Sequence, residues 1–340
     1  MLLPTCPEWK GNMNDITVRS RHPGSMKPAC LWALLPALVL LLIVPPVGNA
    51  EAVTSITSSG LGTEVPPLPP SDGVYDITHG TRPGGGPTLF HSFGDFSIGQ
   101  GDIANFLNDS GLTTTNIIGR VTGGNISDID GIIQTSGFGN ANLFLVNPSG
   151  IVFGPHGSFN VGGSVSFATA QYLRLFDGVN SANFYTNPAN DSLANSIFAT
   201  APIVDFGFLS PAAYGFLTAP DPSATITVLG STLSVLPGQS ISLVGGDISI
   251  QAASLRAQSG HLNLVSVASP GEVLLSSFDT GSFATMGTVT IEDGALLDVS
   301  GQLVGQGQSG TVLVRGGQLV MDASMILANT VGAVSTSDRS

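Results

Sequence analysis

Cysteine, lysine and tryptophan are scarce in this sequence, and all of them lie within its first 50 residues. Because the two cysteines are Cys6 and Cys30, residues 51–340 cannot form a disulfide and must be stabilised by packing and hydrogen bonding. Residues 51–340 hold six arginines against 21 acidic residues, which gives a net charge of −15. No basic patch of the kind that binds nucleic acid or anionic lipid can form, so no nucleic-acid partner is predicted.

The first 50 residues have the pattern of a secretory signal peptide. Basic residues up to Lys27 precede an uncharged apolar run over residues 31–47, and small residues ending at Ala50 resemble a cleavage site. A permanent membrane anchor is the alternative, but the run is short and contains three prolines. We therefore predict cleavage after Ala50, with translation starting at Met1, Met13 or Met26.

The rest of the chain reads as an all-β protein. Over the full sequence, glycine is abundant, with 44 residues, charged residues make up only 10%, and Val, Ile, Leu and Phe are frequent throughout. That composition excludes the low hydrophobicity of disordered chains, and the near absence of Glu and Lys removes the usual surface helix formers. Short apolar runs with period two alternate with Gly, Asn, Asp and Ser turns, which indicates strands.

The spacing of these strands favours a solenoid. Beyond Pro222, similar strands recur at about 20 residues, and we pair Ile241 with Leu262 and Val289 with Val312. A β-sandwich would also give short alternating strands, but with regular hairpin turns and seldom over 290 residues. Stacked parallel coils would bury every second side chain in an inner ladder, so we favour a parallel β-helix.

The most informative stretch is a corner between two apolar runs, residues 143–146 and 151–153. Asn147, Pro148, Ser149 and Gly150 separate the runs, and Ile151 begins the second. Asn leads into a turn through its side chain, Pro presets φ, and Gly accepts positive φ. The corner contains no acid, base or nucleophile, which suggests a shape to be recognised.

Motifs for catalysis or metal binding are almost missing. The sequence has no serine-hydrolase elbow and no zinc-protease motif, and the histidines lack a ligand-like spacing; His91, within an apolar run, is predicted to be a half-buried strand residue. Asp128 and Asp130 lie two residues apart, with Arg120 nearby, so a calcium-dependent polysaccharide lyase stays open as an alternative function. The first prediction is no enzyme, no cofactor and no metal.

Four blocks of the sequence carry a family resemblance. They are Leu89–Ile98, Ile118–Gly124, Ile129–Ile133 and, most specifically, Ala141–Pro155. In this order they resemble the filamentous haemagglutinin N-terminal secretion domain, also called the two-partner secretion (TPS) or haemagglutination activity domain. The similarity runs from about Tyr75 to Met325 and is closest to cyanobacterial-like variants.

The resemblance implies a right-handed, single-stranded, pectin-lyase-like parallel β-helix with small extra-helical β elements. It also implies a passenger that is secreted through the periplasm of a Gram-negative-type bacterium by an outer-membrane Omp85-type transporter with POTRA domains. The family's Asn-Pro-Asn-Gly-Ile motif falls on Asn147, Pro148, Ser149, Gly150 and Ile151, which become the predicted transporter-recognition residues. Ser149 replaces the usual second Asn, and the family's Asn-Pro-Asn-Leu motif has no clear match.

These features predict four segments. They are a signal peptide over 1–50, a Pro-rich linker over 51–73, a TPS core over 74–222 and further β-helix coils over 223–340. Residues 178–200 are expected to form a loop or small excursion, and the missing C-terminal cap suggests a fragment of a longer haemagglutinin-like adhesin. An adhesin function would add a cell-surface glycan or a neighbouring cell as partner, and requires an exposed aromatic or polar strip.

Overall fold

The computed structural model describes residues 53–67, 69–190, 206–301 and 308–330, all within one compact unit, Glu51–Ser340. The described residues form strands and three short 3-10 helices. The 3-10 helices are η1 Pro83–Gly85, η2 Pro188–Asn190 and η3 Phe206–Phe208. The strands are β1 Ser55–Gly60, β2 Thr63–Glu64, β3 Val74–His79, β4 Thr88–Ser97, β5 Ile103–Leu107, β6 Asn116–Val121, β7 Ser127–Ile129, β8 Ile132–Ser136, β9 Asn142–Val146, β10 Ile151–Phe153, β11 Ser158–Asn160, β12 Val165–Ala168, β13 Tyr172–Phe176, β14 Ser181–Tyr185, β15 Ser210–Phe216, β16 Ile226–Leu229, β17 Thr232–Ser234, β18 Ile241–Gly245, β19 Ile248–Gln251, β20 Ser254–Arg256, β21 His261–Ser266, β22 Gly271–Leu274, β23 Thr288–Glu292, β24 Leu296–Asp298, β25 Thr311–Arg315, β26 Gln318–Met321 and β27 Met325–Leu327.

Sharp turns join successive strands, and each coil pairs in parallel with the preceding coil. The protein is therefore a parallel β-helix. Sheet I has the order β1-β4-β6-β9-β12-β18-β21-β25, and sheet II has β26-β23-β19-β16-β10-β7. The third strand of each coil lies in sheet III, β11-β8-β5-β3-β2, or in later coils in sheet IV, β17-β20-β24-β27. The predicted fold class is therefore confirmed. Within the described ranges, no helix is long and apolar enough to cross a membrane.

Inner ladders of apolar side chains form the core. On sheet I, Leu89, Ile117, Leu143, Val165, Ile241 and Leu262 are in direct register, and all of them are buried. On sheet II, Ile129, Phe153, Val228, Ile250 and Ile291 form a second ladder. The two ladders meet in one core cluster, so each coil buries its alternate residues against those of its neighbours.

The predicted strand correspondences have opposite outcomes. Ile241 pairs with Leu262, which confirms the 21-residue step between those coils. The pairing of Val289 with Val312 is wrong, because Val289 lies on sheet II beside Leu319, whereas Val312 lies on sheet I beside Leu262. The chain between β21 and β23 leaves the coil to form β22, and this insertion displaces the later strands from a constant period.

Antiparallel strands cover the N-terminal end of the β-helix. β1 pairs antiparallel with β4 at the edge of sheet I, and β2 pairs antiparallel with β3 at the edge of sheet III. The predicted linker over 51–73 therefore does not hold for Ser55–Glu64. The sequence gives a weak signal there because, within β1, only Ile56 is a buried apolar residue.

A separate antiparallel sheet, β14-β13-β15-β22, packs on the outside of sheet I and is called here the extra-helical sheet. Its inward residues, including Leu173, Phe184 and Tyr214, pack with Phe90 and Ile118 of sheet I in a second apolar cluster. The segment predicted as an excursion, 178–200, includes β14 of this sheet, whereas its residues 191–200 lie outside the described residues.

Candidate functional site

The predicted corner joins sheet I to sheet II within one coil. β9 ends at Val146 and β10 begins at Ile151, so residues 147–150 make the change of direction. The N–H of Gly150 donates to the carbonyl of Asn147 at 3.2 Å, and the Asn147 Oδ1 accepts the N–H of Ser149 at 2.9 Å. The second bond is an Asx turn, as the residue types predict.

Asn147 also binds the preceding coil. Its Nδ2 donates to the carbonyl of Asn125 and to the hydroxyl oxygen of Ser127, both at 2.9 Å. Its backbone N–H donates to the carbonyl of Ala168 in the following coil at 2.9 Å. The side chain is fully buried. Since its amide satisfies groups in two coils, Asn147 fixes both the turn and the stacking.

Gly150 is required by backbone conformation. Its φ is +120°, a value that side-chain-bearing residues rarely adopt. A Cβ there would lie 3.3 Å from the carbonyl oxygens of Ser223 and Thr225 in the next coil. The Gly150 carbonyl accepts the N–H of Ser127 at 3.1 Å, and the Ile151 N–H donates to Thr225 at 3.0 Å. The glycine thus allows close approach as well as the turn.

Only part of the corner is accessible in the folded protein. Asn147, Gly150 and Ile151 are buried, whereas Pro148 and Ser149 are half-buried. Ser149 contributes its backbone N–H to the Asx turn, so replacing the family's usual Asn with Ser leaves this hydrogen bond in place. The structure therefore brings all five predicted residues into one turn but hides three of them.

Sequence reasoning missed the partners of Asn147. Ser127 and the Asn125 carbonyl lie one coil earlier, about 20 residues away, and become neighbours only through the stacking. The Gly123-Gly124-Asn125 turn was the available signal, since equivalent corners recur at the length of one coil.

The residues of the lyase alternative are divided between two faces. Arg120 donates to Ser92 Oγ on the neighbouring strand of sheet I and to the Tyr185 carbonyl of the extra-helical sheet. Asp128 belongs to sheet II and points outward, since its neighbour Ile129 is in the core. Asp130 accepts hydrogen bonds from the backbone and the ring Nδ1 of His156.

Asp128 and Asp130 interact electrostatically. Partial burial, and then the nearby charge of Asp130, raise the pKa of Asp128 above its usual value. Arg120, the arginine of the lyase hypothesis, instead donates hydrogen bonds to Ser92 and Tyr185. Among the described residues, no three His, Cys, Asp or Glu side chains are grouped so that they could hold a metal ion.

The fold and the corner together define a β-helical repeat protein whose most specific feature is a structured turn. The family model for the TPS secretion domain matches residues 55–320. The chain therefore belongs to the TPS secretion domain family, as the motif blocks predicted, and the match begins about 20 residues before the predicted start of similarity at Tyr75. It also runs across the predicted division at residue 222.

Among solved structures, the chain is similar to the HMW1 secretion domain from Haemophilus influenzae. The sequences are 16% identical, the TM-score is 0.44, and the match covers 82% of this chain and 66% of that chain, just under two thirds of its length. No curated protein matches the sequence. Membership of the TPS family supports the predicted role as a passenger of two-partner secretion.

Proposed function

We propose that this domain directs its own export by presenting the segment Asn147–Ile151 to the partner transporter while the chain is still unfolded. The burial of Asn147 is the observation that supports this proposal. In the folded β-helix its side chain cannot reach a partner protein, because all of its hydrogen bonds are made within the domain. Recognition must therefore precede folding, and the same residues then form a corner.

Two roles of the motif can thus be separated by substitution. Pro148 is half-buried, and its replacement changes the recognised sequence while leaving the hydrogen bonds of Asn147 in place. Asn147→Ala removes three side-chain hydrogen bonds, at a cost of about 3 kcal/mol in the free energy of unfolding. Asn147→Ala therefore affects both recognition and the folded turn, whereas replacement of Pro148 affects recognition alone.

The experiment compares export of Pro148→Ala and Asn147→Ala in cells that contain the transporter. We expect both variants to accumulate in the periplasm. The purified Pro148→Ala protein should nevertheless unfold at nearly the same urea concentration as the parent protein. Asp298→Ala is the matched control, because Asp298 makes a similar turn to the N–H of Ser300 in a later coil. Normal export of Pro148→Ala would reduce the motif to a structural turn.

The proposed role is that of an exported adhesin-type passenger, not an enzyme. Arg120 and Asp128 lie on different sheets, which favours this role over the polysaccharide lyase. Uronate-polymer cleavage that is lost in Asp128→Ala would instead favour the lyase.

We also propose a leader over 1–50 and a boundary at 222/223. The leader is tested by the N-terminus of the secreted protein, which should begin at Glu51.

A further inference from the structure

A groove of about 490 Å³ lies between the outer face of sheet I and the loop that follows β22. Its floor crosses five neighbouring strands, β9, β12, β18, β21 and β25. Its wall is formed by Pro211 and residues 275–278. None of the residues that form the groove belongs to the export corner.

The floor has a regular order of side chains. Phe144, Ser166, Ser242, Asn263 and Leu313 are in direct register, so polar groups occupy the centre of the row and apolar groups its ends. Asn263 Nδ2 donates to Ser242 Oγ at 3.0 Å, which orients the amide. The hydroxyls of Ser166 and Tyr214 are 2.7 Å apart, which ties the floor to the extra-helical sheet.

A second row lies beside the first and contains no Asp, Glu, Lys or Arg. It includes Asn142, Ser164, Ser240, His261 and Thr311. Ser164 Oγ accepts the N–H of Ser240 at 3.0 Å, and Asn142 Oδ1 accepts the N–H of Ser164 at 3.0 Å. Hydrogen bonds between neighbouring coils therefore hold these side chains in position before any ligand arrives.

The wall supplies an aromatic ring on a strained backbone. Phe278 has φ of +51°, which is unusual for a bulky residue, and its N–H donates to the Leu274 carbonyl at 2.6 Å. Its side chain is half-buried and also packs on the apolar cluster of the extra-helical sheet. The ring is thus fixed at the side of the groove opposite the polar floor.

The chemistry of this groove fits one class of ligand. Hydroxyl and amide groups both donate and accept, as sugar hydroxyls require, and aromatic rings cover the apolar faces of sugar rings. Among the described residues that line the groove there is no Asp, Glu, Arg or Lys, and the net charge of −15 over residues 51–340 repels anionic polymers. A peptide would need an open strand edge for main-chain pairing, whereas each floor strand except β25 is paired on both sides.

We propose that this Ser/Asn groove binds a segment of an uncharged oligosaccharide. The inference goes beyond the export function, because it assigns a ligand to the folded, secreted domain. It also assigns a location to the polar and aromatic strip that an adhesin requires.

The test uses the purified protein on an array of uncharged hexose and N-acetylhexosamine oligosaccharides, with maltohexaose, cellohexaose and chitohexaose included. A heparin-derived hexasaccharide is the anionic comparison. We expect binding to at least one uncharged oligosaccharide, which titration calorimetry then quantifies. Asn263→Ala and Ser276→Trp should each weaken it tenfold or more. Ser276 is exposed, so its Trp variant fills the groove without disturbing the core.

His79→Ala is the matched control, since His79 is an exposed strand residue outside the groove. It should leave the affinity unchanged, and all three variants should be exported normally, which separates this test from that of the export motif. The proposal is overturned if no uncharged oligosaccharide binds, if the groove variants bind as the parent does, or if heparin binds more tightly.

Discussion

Acid should weaken the first coil of the β-helix through one histidine. His91 lies on β4 between Leu89 and Phe93 and is fully buried in the helix interior. Its ring packs edge-on to Phe106 at 5.5 Å between centroids, and its Nδ1 lies 3.3 Å from Thr63 Oγ1. Within the described part of the chain, Nε2 has no hydrogen-bond partner. A proton added to this ring would be buried without a partner.

The size of the effect follows from the pKa. Burial, and secondly the charge of Arg82, lower the pKa of His91 from 6.5 to about 3, while Asp109 acts in the opposite direction. The unfolded chain therefore binds a proton below pH 6.5 that the folded protein does not bind until about pH 3. Stability from this group is complete above pH 6.5 and falls as the pH decreases. At pH 4.5 the loss is about 2.7 kcal/mol, since two pH units cost about 1.36 kcal/mol each.

The assay is urea unfolding of the purified protein at pH 7.5 and 4.5, with amide hydrogen exchange at β4 as a local measure of the first coil. His91→Leu places an apolar side chain at the same position and removes the titration. We expect the parent to lose about 2.7 kcal/mol more than His91→Leu between the two pH values. Carboxylates act in both proteins and cancel. Equal losses in the two proteins would refute this account of His91.

Two further predictions concern the corner and its coil. Gly150→Ala should lower the free energy of unfolding by about 1–3 kcal/mol, because φ of +120° is strained for alanine; a change under about 0.5 kcal/mol in urea unfolding would contradict this. Phe153→Ala should cost about 3–5 kcal/mol, because its ring fills the core 4.9 Å from that of Phe167, whereas outward-facing Val152→Ala should cost much less. Similar melting temperatures for the last two variants would show that the ladder on sheet II is not the core.

The features predicted correctly are those that a few neighbouring residues determine. The residue types at Asn147 and Gly150 define the turn, and the step from Ile241 to Leu262 follows from an uninterrupted coil. The inward direction of His91 could also have been predicted, because Leu89, His91 and Phe93 alternate with period two. The prediction of half burial underestimated how closely β2 covers the ring.

Other features depend on which coils become neighbours, and local patterns do not contain that information. Val289 and Val312 were paired wrongly because the insertion that forms β22 breaks the period. Likewise, Ser166, Ser242 and Asn263 are far apart in the sequence and form one row only after the register of three strands is known. Polar residues of this kind look like ordinary surface residues until the coils are stacked.

The cover at the N-terminal end has a kinetic consequence. β1 and β2 close the first coil, while Leu319, Met321, Met325 and Ile326 of the last described coil are exposed. Growth of the solenoid is thus possible in one direction only. One coil, for example, buries the apolar side chains of Ile226, Val228, Leu233, Ile241 and Leu243. Adding such a coil contributes on the order of 10 kcal/mol before conformational entropy is subtracted. For a chain that emerges from a pore with its N-terminus first, every completed coil opposes backward movement, because moving back through the pore would require that coil to unfold.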